Sequence, residues 1–485
     1  MTYIRTVPTA SGAKAVQIVS KSHGQVVRLE HIGSAHSKTE LHTLLTLARQ
    51  RLHGKQVSLL PEVPASRIYQ HQAVSWLLGD CLRTVYQQLG FNRLEDGVFE
   101  LLCIARIVEP VSKLDSVRVL ADLGIEGLSN TTIHRCLKRV IANGYRDKLA
   151  KLCFSQAQTT GDLTLVLYDV TTLYFEVQQE DDYRKPGLSK ERRLEPQIVV
   201  GLLVDRNGFP LELHSFEGNR AETKTILPVM EAFKRRHKTT HLSVVADAGM
   251  LSQGNLAELE QAGYGYIVGS RLNKIPYDIE QYQKQAELSD GQIFMTKTKV
   301  EGQQIIYQYR EKRAALDRRN IAKQIAKAEN IVLGKAQLKR SKFVKLTTTS
   351  GTRSLNTELI DKALSLVGIK GYVTNLDIPA EQVISAYHEL WHVEQSFRMS
   401  KNDLKARPIF HHQRDSIEAH LTVVMVGLAM SKDMERRTKL SRRKLVNSLK
   451  TIRSGSVTIN GQLYPTEPEI PDSMVAVLKA LNYGD

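Results

Sequence analysis

At 485 residues the chain is too long for one ordinary domain and long enough to bury at least one large core. Its hydrophobic fraction of 42% is normal for a globular protein, but a formal net charge of +16 and an isoelectric point near 9.5 favour polyanionic partners. A basic membrane-surface protein is the weaker competing reading, since no lipidation motif and no long basic amphipathic helix beside an apolar anchor is evident, and the longest apolar run, Leu421 to Met430, is too short to span a bilayer.

The first elements are two alternating stretches, Ala15–Val19 and Val26–Glu30, separated by Ser22-His23-Gly24. They predict a hairpin in a small β-containing N-terminal domain over residues 1–62. From Ser66 to Gln158 apolar residues recur at helical spacing, with turn signals at Gly90, Pro110, Gly127 and Gly144, which predicts a helical DNA-binding domain over 63–160. Cys81, Cys103, Cys136 and Cys153 fall on its apolar faces, with no C-x-x-C pair, and read as reduced core residues. Within it, Leu128 to Ile141 reads as a capped helix burying Ile133, Leu137, Val140 and Ile141, while Arg135, Lys138 and Arg139 point elsewhere. That basic face suits either a recognition helix in a helix-turn-helix or a merely solvated surface.

Strands begin after Asp162. Leu163–Val170, Gln197–Val204 and Pro210–Phe216 are β-rich, the last two joined by the turn Asp205-Arg206-Asn207-Gly208 and expected to pair antiparallel. A helix (Lys224–Arg236), a buried strand (Leu242–Ala246), a helix (Asn255–Ala262) and a strand (Tyr266–Gly269) follow. This order predicts an α/β, RNase H-like core over 161–430, interrupted by an insertion at about 271–369 that carries a long basic helix from Arg310 to about Val332. Gly371–Asn375 resumes the strands, and Pro379 opens a helix running past Glu394. Residues 431–485 read as a basic C-terminal tail, with Arg436, Arg437, Arg442, Arg443 and Lys444 expected, like the long basic helix, to track phosphates.

Three acids stand out in this pattern. Asp169 closes the run Leu163–Tyr168, Asp247 closes Leu242–Ala246, and Glu394 lies within the helix after Pro379. Acids at the ends of buried strands are carried to the rim of the sheet, where open α/β folds place their sites. Phosphodiester chemistry needs divalent cations, for which carboxylates are natural ligands. Singly each acid is weak, because a strand-end Asp is often a turn former and Glu394 suits ordinary surface pairing. On an unbroken helix Tyr387, Glu394 and Lys401 fall along one stripe, with Leu390, Trp391 and Arg398 beside it.

The stretch Tyr387 to Lys401 resembles the Y-x2-R-x3-E-x6-K signature of DDE transposases of bacterial insertion sequences, a cut-and-paste group with an RNase H-like core. Leu390 stands at the Arg position. Tyr168-Asp169-Val170-Thr171-Thr172 resembles the group's first-Asp strand, Gly218-Asn219 with Glu222 its G-N-x-x-E stretch, and Val245-Ala246-Asp247-Ala248-Gly249-Met250 its second-Asp motif. Arg106–Pro110 with Ser112-Lys113-Leu114 is similar to its pre-catalytic region. The resemblance implies that Asp169, Asp247 and Glu394 are catalytic and hold two Mg²⁺ or Mn²⁺ ions, and that Tyr387 and Lys401 contact DNA-end phosphates, with Arg398 standing in for the missing Arg. Some relatives trap a flipped base with a Trp of the insertion; Trp76 and Trp391 both lie outside it, leaving Tyr277, Tyr282, Tyr307 and Tyr309 as its stacking candidates or core residues.

The expected function is therefore metal-dependent cleavage and strand transfer on double-stranded DNA, by a homodimer assembled on two ends. The lack of a signal-peptide apolar region after Met1 adds a cytoplasmic, nucleoid-associated location. Two other readings stay open: a metal-dependent nuclease without strand transfer, and a silent DNA-binding regulator.

Overall fold

The computed structural model describes residues 2–22, 24–53, 68–161, 163–176, 179–187, 195–239, 241–250, 252–270, 272, 274–337, 341–346, 353–459 and 462–484. The turn residue His23, the boundary expected at 62/63, the helical start at Ser66, Asp162 and the insertion's opening at 271 lie outside them. Two compact units form, Met1–His71 with Ser456–Tyr464 and Gln72–Gly455 with Pro465–Asp485.

In the first unit β1 (Thr2–Pro8), β2 (Lys14–Ser22) and β3 (Gln25–Ala35) make an antiparallel meander. Helix α1 (Lys38–His53) starts at a reciprocal cap: the Glu40 amide donates to Ser37 Oγ at 3.2 Å while Glu40 Oε2 accepts from the His36 amide at 2.9 Å. Val16, Ile18 and Ala48 close a small core between helix and sheet. A short strand, β4 (Ile68–Gln70), ends this segment.

The second unit opens with α2 (Trp76–Gln88), α3 (Gly97–Val108), α4 (Ser116–Ala121), α5 (Asn130–Ala142) and α6 (Tyr145–Thr160). Asp96 caps α3 by accepting the Phe99 amide at 3.1 Å, and Ser129 caps α5 by accepting the Thr132 amide at 3.2 Å. Strands β5 (Leu165–Tyr174), β6 (Gln197–Val204) and β7 (Pro210–Glu217) follow, then α7 (Ile226–His237), β8 (Ser243–Ala246), α8 (Gln253–Gln261) and β9 (Gly265–Ser270). The next segment holds α9 (Tyr277–Gln283), β10 (Ile293–Lys297), β11 (Gln304–Tyr309), α10 (Glu311–Val332), β12 (Val344–Leu346), β13 (Arg353–Leu355) and α11 (Thr357–Ser365). Then come β14 (Ile369–Thr374), α12 (Ala380–His388), α13 (Trp391–Arg398), α14 (Arg414–Thr438), α15 (Arg442–Lys450), β15 (Gly455–Ile459), β16 (Gln462–Thr466) and α16 (Asp472–Ala480). β15 pairs antiparallel with β4, so most of this late hairpin returns to the first unit.

Eight strands form one mixed sheet in the order β10-β11-β14-β9-β8-β5-β6-β7. β5, β8 and β9 are parallel neighbours, and every other pair is antiparallel. The expected pairing of β6 with β7 is present, and Gly208, at φ 82°, turns the chain between them while Asp205 Oδ1 accepts from the Asn207 and Phe209 amides. The expected insertion is not set apart from the sheet, since β10 and β11 extend it beyond β14.

Alternation along β5 assigns its two faces. Val166, Tyr168 and Val170 join Val244 and Tyr266 beneath α7 and α8, whereas Leu167 and Leu173 join Val245, Ile267 and Tyr372 beneath α12, α13 and α14. The second core also takes in α2, α3, α5 and α6 of the helical segment and Leu445, Val446, Val477 and Leu478 near the C-terminus. One core thus draws on all three of the expected spans 63–160, 161–430 and 431–485. The expected boundary at 430/431 falls inside α14, which is buried from Ala419 through Met434. A helix apolar nearly all round must be buried, and that accounts for the Leu421–Met430 run. No helix among the described residues is long and apolar enough to cross a membrane.

Candidate active site

The parallel ladder between β5 and β8 pairs Leu165 with Ser243, Val166 with Val244 and Leu167 with Val245, an offset of 78 residues. Asp169 and Asp247 are separated by the same 78 (247 minus 169). The ladder ends at Leu167 and Val245 and β8 at Ala246, so Asp169 lies on β5 two residues past the last pair and Asp247 directly follows the end of β8. Asp169 follows Leu167 by two residues within β5, so alternation gives it the face covered by α12–α14. The expectation that Asp169 ends its strand needs correction: β5 continues to Tyr174, because the β-branched Val170, Thr171 and Thr172 stay paired with β6. What ends at this level is β8, opening one edge of β5 beside Asp169.

Tyr387, on α12, is only 6% exposed, and its hydroxyl donates to Asp247 Oδ1 at 2.9 Å. The same oxygen accepts the Ala248 amide at 2.7 Å. Burial and the adjoining Asp247 carboxylate push the Tyr387 phenol well above its ordinary range, keeping it a donor. Gly269 on β9 makes room for it, since a Cβ there would lie 2.6 Å from Tyr387 Oη. The ring meets Tyr372 edge-on at 4.9 Å, and Lys370 Nζ sits 4.2 Å from the ring centroid.

Glu394 stands exposed in the first turn of α13, which packs on β5 and β6, whereas α12 packs on β8, β9 and β14. Burial and then Arg313 push the Lys370 ammonium below its ordinary range, against the pull of Asp247 and Glu394. Both acids therefore act on one lysine. Asp247, Gly269, Arg313, Lys370 and Tyr387 line a cleft of about 430 Å³. Lys370 was invisible to sequence patterning, because a lone lysine in a strand carries no periodic signal. Arg313 was legible only as part of a basic helix.

Carboxylate oxygens are the right donors for Mg²⁺ or Mn²⁺. Among the described residues, however, no three His, Cys, Asp or Glu side chains stand close enough together to hold an ion.

The expected stripe through Tyr387, Glu394 and Lys401 also needs correction, because the helix is not continuous. The Leu390, His392 and Val393 amides bond three residues back, to Tyr387, Glu389 and Leu390, which overwinds the junction of α12 and α13. Met399–Asp403 then opens into a π-helical turn carrying the half-buried Lys401. Angles of 100° per residue do not hold across either break. Leu390 is buried in the core, and Arg398 is exposed.

On α5, Arg135 and Lys138 are exposed, but Arg139 grips Asp96 with two guanidinium hydrogen bonds of 3.0 and 2.9 Å. The Asp96 side chain is 4% exposed and also accepts the Tyr145 hydroxyl, so Arg139 ties helices together. Near the C-terminus, Arg436 and Arg437 pair with Asp433, and the buried Arg442 donates to the Ile107 carbonyl. Only Arg443 and Lys444 of the five expected phosphate-tracking residues are fully exposed without such ties among the described residues. Of the four tyrosines between β9 and β14, Tyr307 and Tyr309 join a small core around Ile279, Tyr282 meets Phe294 edge-on, and Tyr277 is exposed.

Residues 160–429, just over half of the chain, match the family model described as Transposase DDE domain. Among solved structures, the chain is similar to a piggyBac transposase synaptic complex with hairpin DNA, at 10% identity and a TM-score of 0.38, covering 78% of this chain and 69% of that one. It is also similar to a Mos1 transposase paired-end complex, at 13% identity and a TM-score of 0.16, covering 46% of this chain and 66% of that one. Likenesses this loose say nothing of residue roles. No curated protein matches the chain in sequence.

Proposed function

The chain belongs to the DDE transposase family, and on that premise we propose that it cuts DNA at the ends of a bacterial insertion sequence and joins the freed 3′-hydroxyl to target DNA. The observation that carries this reading is the parallel pairing of β5, which bears Asp169, with β8, which Asp247 directly follows, and the bond by which Tyr387 holds Asp247. The order β7-β6-β5-β8-β9, antiparallel then parallel, supports an RNase H-like core beneath these acids.

In this reading Asp169, Asp247 and Glu394 hold Mg²⁺ or Mn²⁺. Two such ions, when bound, activate the attacking oxygen and stabilise the leaving oxygen of an in-line displacement. Tyr387 fixes the Asp247 carboxylate through Oδ1 and leaves Oδ2 for ligation; it positions an acid instead of gripping a DNA phosphate. Lys370 and Arg313 add positive charge to the cleft that receives the scissile strand. Arg135 and Lys138 on α5 contact the duplex, with Arg398 and Lys401 nearer the acids. Two ends must be held together for transfer, which calls for a homodimer on DNA.

Labelled DNA carrying the element's terminal repeats, incubated with plasmid and Mg²⁺, tests this directly. Joined product is expected. Cut but unjoined ends would instead identify a nuclease, and binding without cutting a silent regulator.

A further inference from the structure

A second cluster of basic side chains gathers where α3 and α14 pack together. Arg106, in the last turn of α3, is 6% exposed; Lys113, in the loop after Pro110, is 8% exposed; His420, on α14, is 5% exposed. The His411 and His420 rings are 5.5 Å apart, and the Arg106 side chain runs along α14 beside Gly427. His420 Nε2 faces the Ala406 carbonyl at 3.3 Å, while its Nδ1 is buried with no partner. Among the described residues neither Arg106 nor Lys113 forms an ion pair, the nearby Glu109 pairs with Arg118 and Lys450 instead, and no carboxylate is among the charges acting on Arg106 or Lys113.

Burying cations without a counter-charge is costly, and losing the proton or taking up an anion relieves that cost. Burial and the adjacent Arg106 push Lys113 down, but a guanidinium brought only to about 10 stays charged at any working pH. The donors are a planar fork, an ammonium and the His411 imidazole, a set that suits a tetrahedral oxyanion, and His420, whose Nε2 is turned to the Ala406 carbonyl, joins them by taking up a proton at Nδ1 when the anion enters. The cluster reaches solvent at half-buried His411, with exposed His134 and His412 close enough to act on its charge. His134 lies on α5, next to exposed Arg135.

We propose that Arg106, Lys113, His411 and His420 receive one backbone phosphodiester of bound DNA, entering past His134 and His412. The oxyanion class stands on the cluster alone; its source in DNA rests on the reading of the chain as a DNA-acting enzyme.

Two measurements on the full chain separate these layers. Thermal unfolding in inorganic phosphate, against chloride at equal ionic strength, is expected to show a phosphate-specific rise in midpoint for the wild type. Lys113→Met should abolish that rise, and Lys113→Arg should keep it. Fluorescence anisotropy on terminal-repeat DNA across a salt series is expected to show about tenfold weaker binding for Lys113→Met and His411→Ala. The slope of log affinity against log salt should shrink by about 1 for Lys113→Met. His411→Ala, at a half-exposed position, keeps the test open if Lys113→Met misfolds. A phosphate effect with unchanged DNA binding would overturn the DNA assignment and leave an oxyanion site. A phosphate effect in a protein that binds no DNA would overturn the DNA-acting reading instead. No phosphate effect in the wild type, or an equal one in Lys113→Met, would overturn the site itself.

Discussion

The Tyr387 hydroxyl donates to Asp247 Oδ1 at 2.9 Å from a side chain that is almost wholly buried. The bond joins α12 to the end of β8 and sets which carboxylate oxygen is left over. Groups that orient a metal ligand typically carry 10–100-fold in metal affinity or activity. Tyr387→Phe keeps the ring and removes the donor, so the expected outcome is a rise of roughly that size in the Mg²⁺ concentration needed for half-maximal cleavage. The thermal midpoint should change little. Titration of cleavage against Mg²⁺ checks this.

Gly269 tests the same contact from the opposite side. A methyl group there would lie 2.6 Å from Tyr387 Oη, so Gly269→Ala must displace the phenol or the strand. Overpacking of this kind costs about 1–3 kcal/mol. Reduced cleavage together with a lower urea midpoint is expected, in contrast to the activity-only defect of Tyr387→Phe.

Three basic residues of one helix should separate into two phenotypes. Arg139→Ala leaves the buried Asp96 without its guanidinium and should destabilise by about 1–3 kcal/mol, read by chemical denaturation. Arg135→Ala and Lys138→Ala should leave stability unchanged and each reduce the salt slope of DNA binding by about 1.

Acid stability should report on the histidines beneath α3. Burial, then Lys113, Arg106, His134 and His412, bring His411 down to about 4, and His420 is depressed with it. In the unfolded chain these imidazoles take up protons near 6.5, whereas in the folded protein they stay neutral until lower pH. The unfolded state thus binds more protons, and folding stability falls as pH drops from about 6.5 to about 4. Urea midpoints across that window should fall more steeply for the wild type than for His411→Ala.

Much of the sheet was legible because apolar runs bounded by turn residues leave little choice: Gln197–Val204 appears with the expected ends, and the Asp205–Gly208 turn delivers the expected antiparallel partner. The equal offset of ladder and acids was present in the numbering but had no meaning until β5 and β8 were seen to be neighbours. Less legible were features set by tertiary packing. The basic tail after Ser431 concealed the buried end of α14, because Lys432 and Asp433 are satisfied by Gln395, Arg436 and Arg437, which are distant or ambiguous in sequence. The overwound turn at Glu389–Leu390 and the π turn after Arg398 broke a stripe that helical periodicity alone drew straight. Arg139 and Arg135 differ only in whether Asp96 is within reach.

The most direct test is strand cleavage of labelled terminal-repeat DNA in Mg²⁺ by Asp169→Ala, Asp247→Ala and Glu394→Ala, with DNA binding followed in parallel. Each variant is expected to bind the DNA as the wild type does and to leave it uncut. Cleavage at the wild-type rate by any one of them would contradict a site built on these three acids.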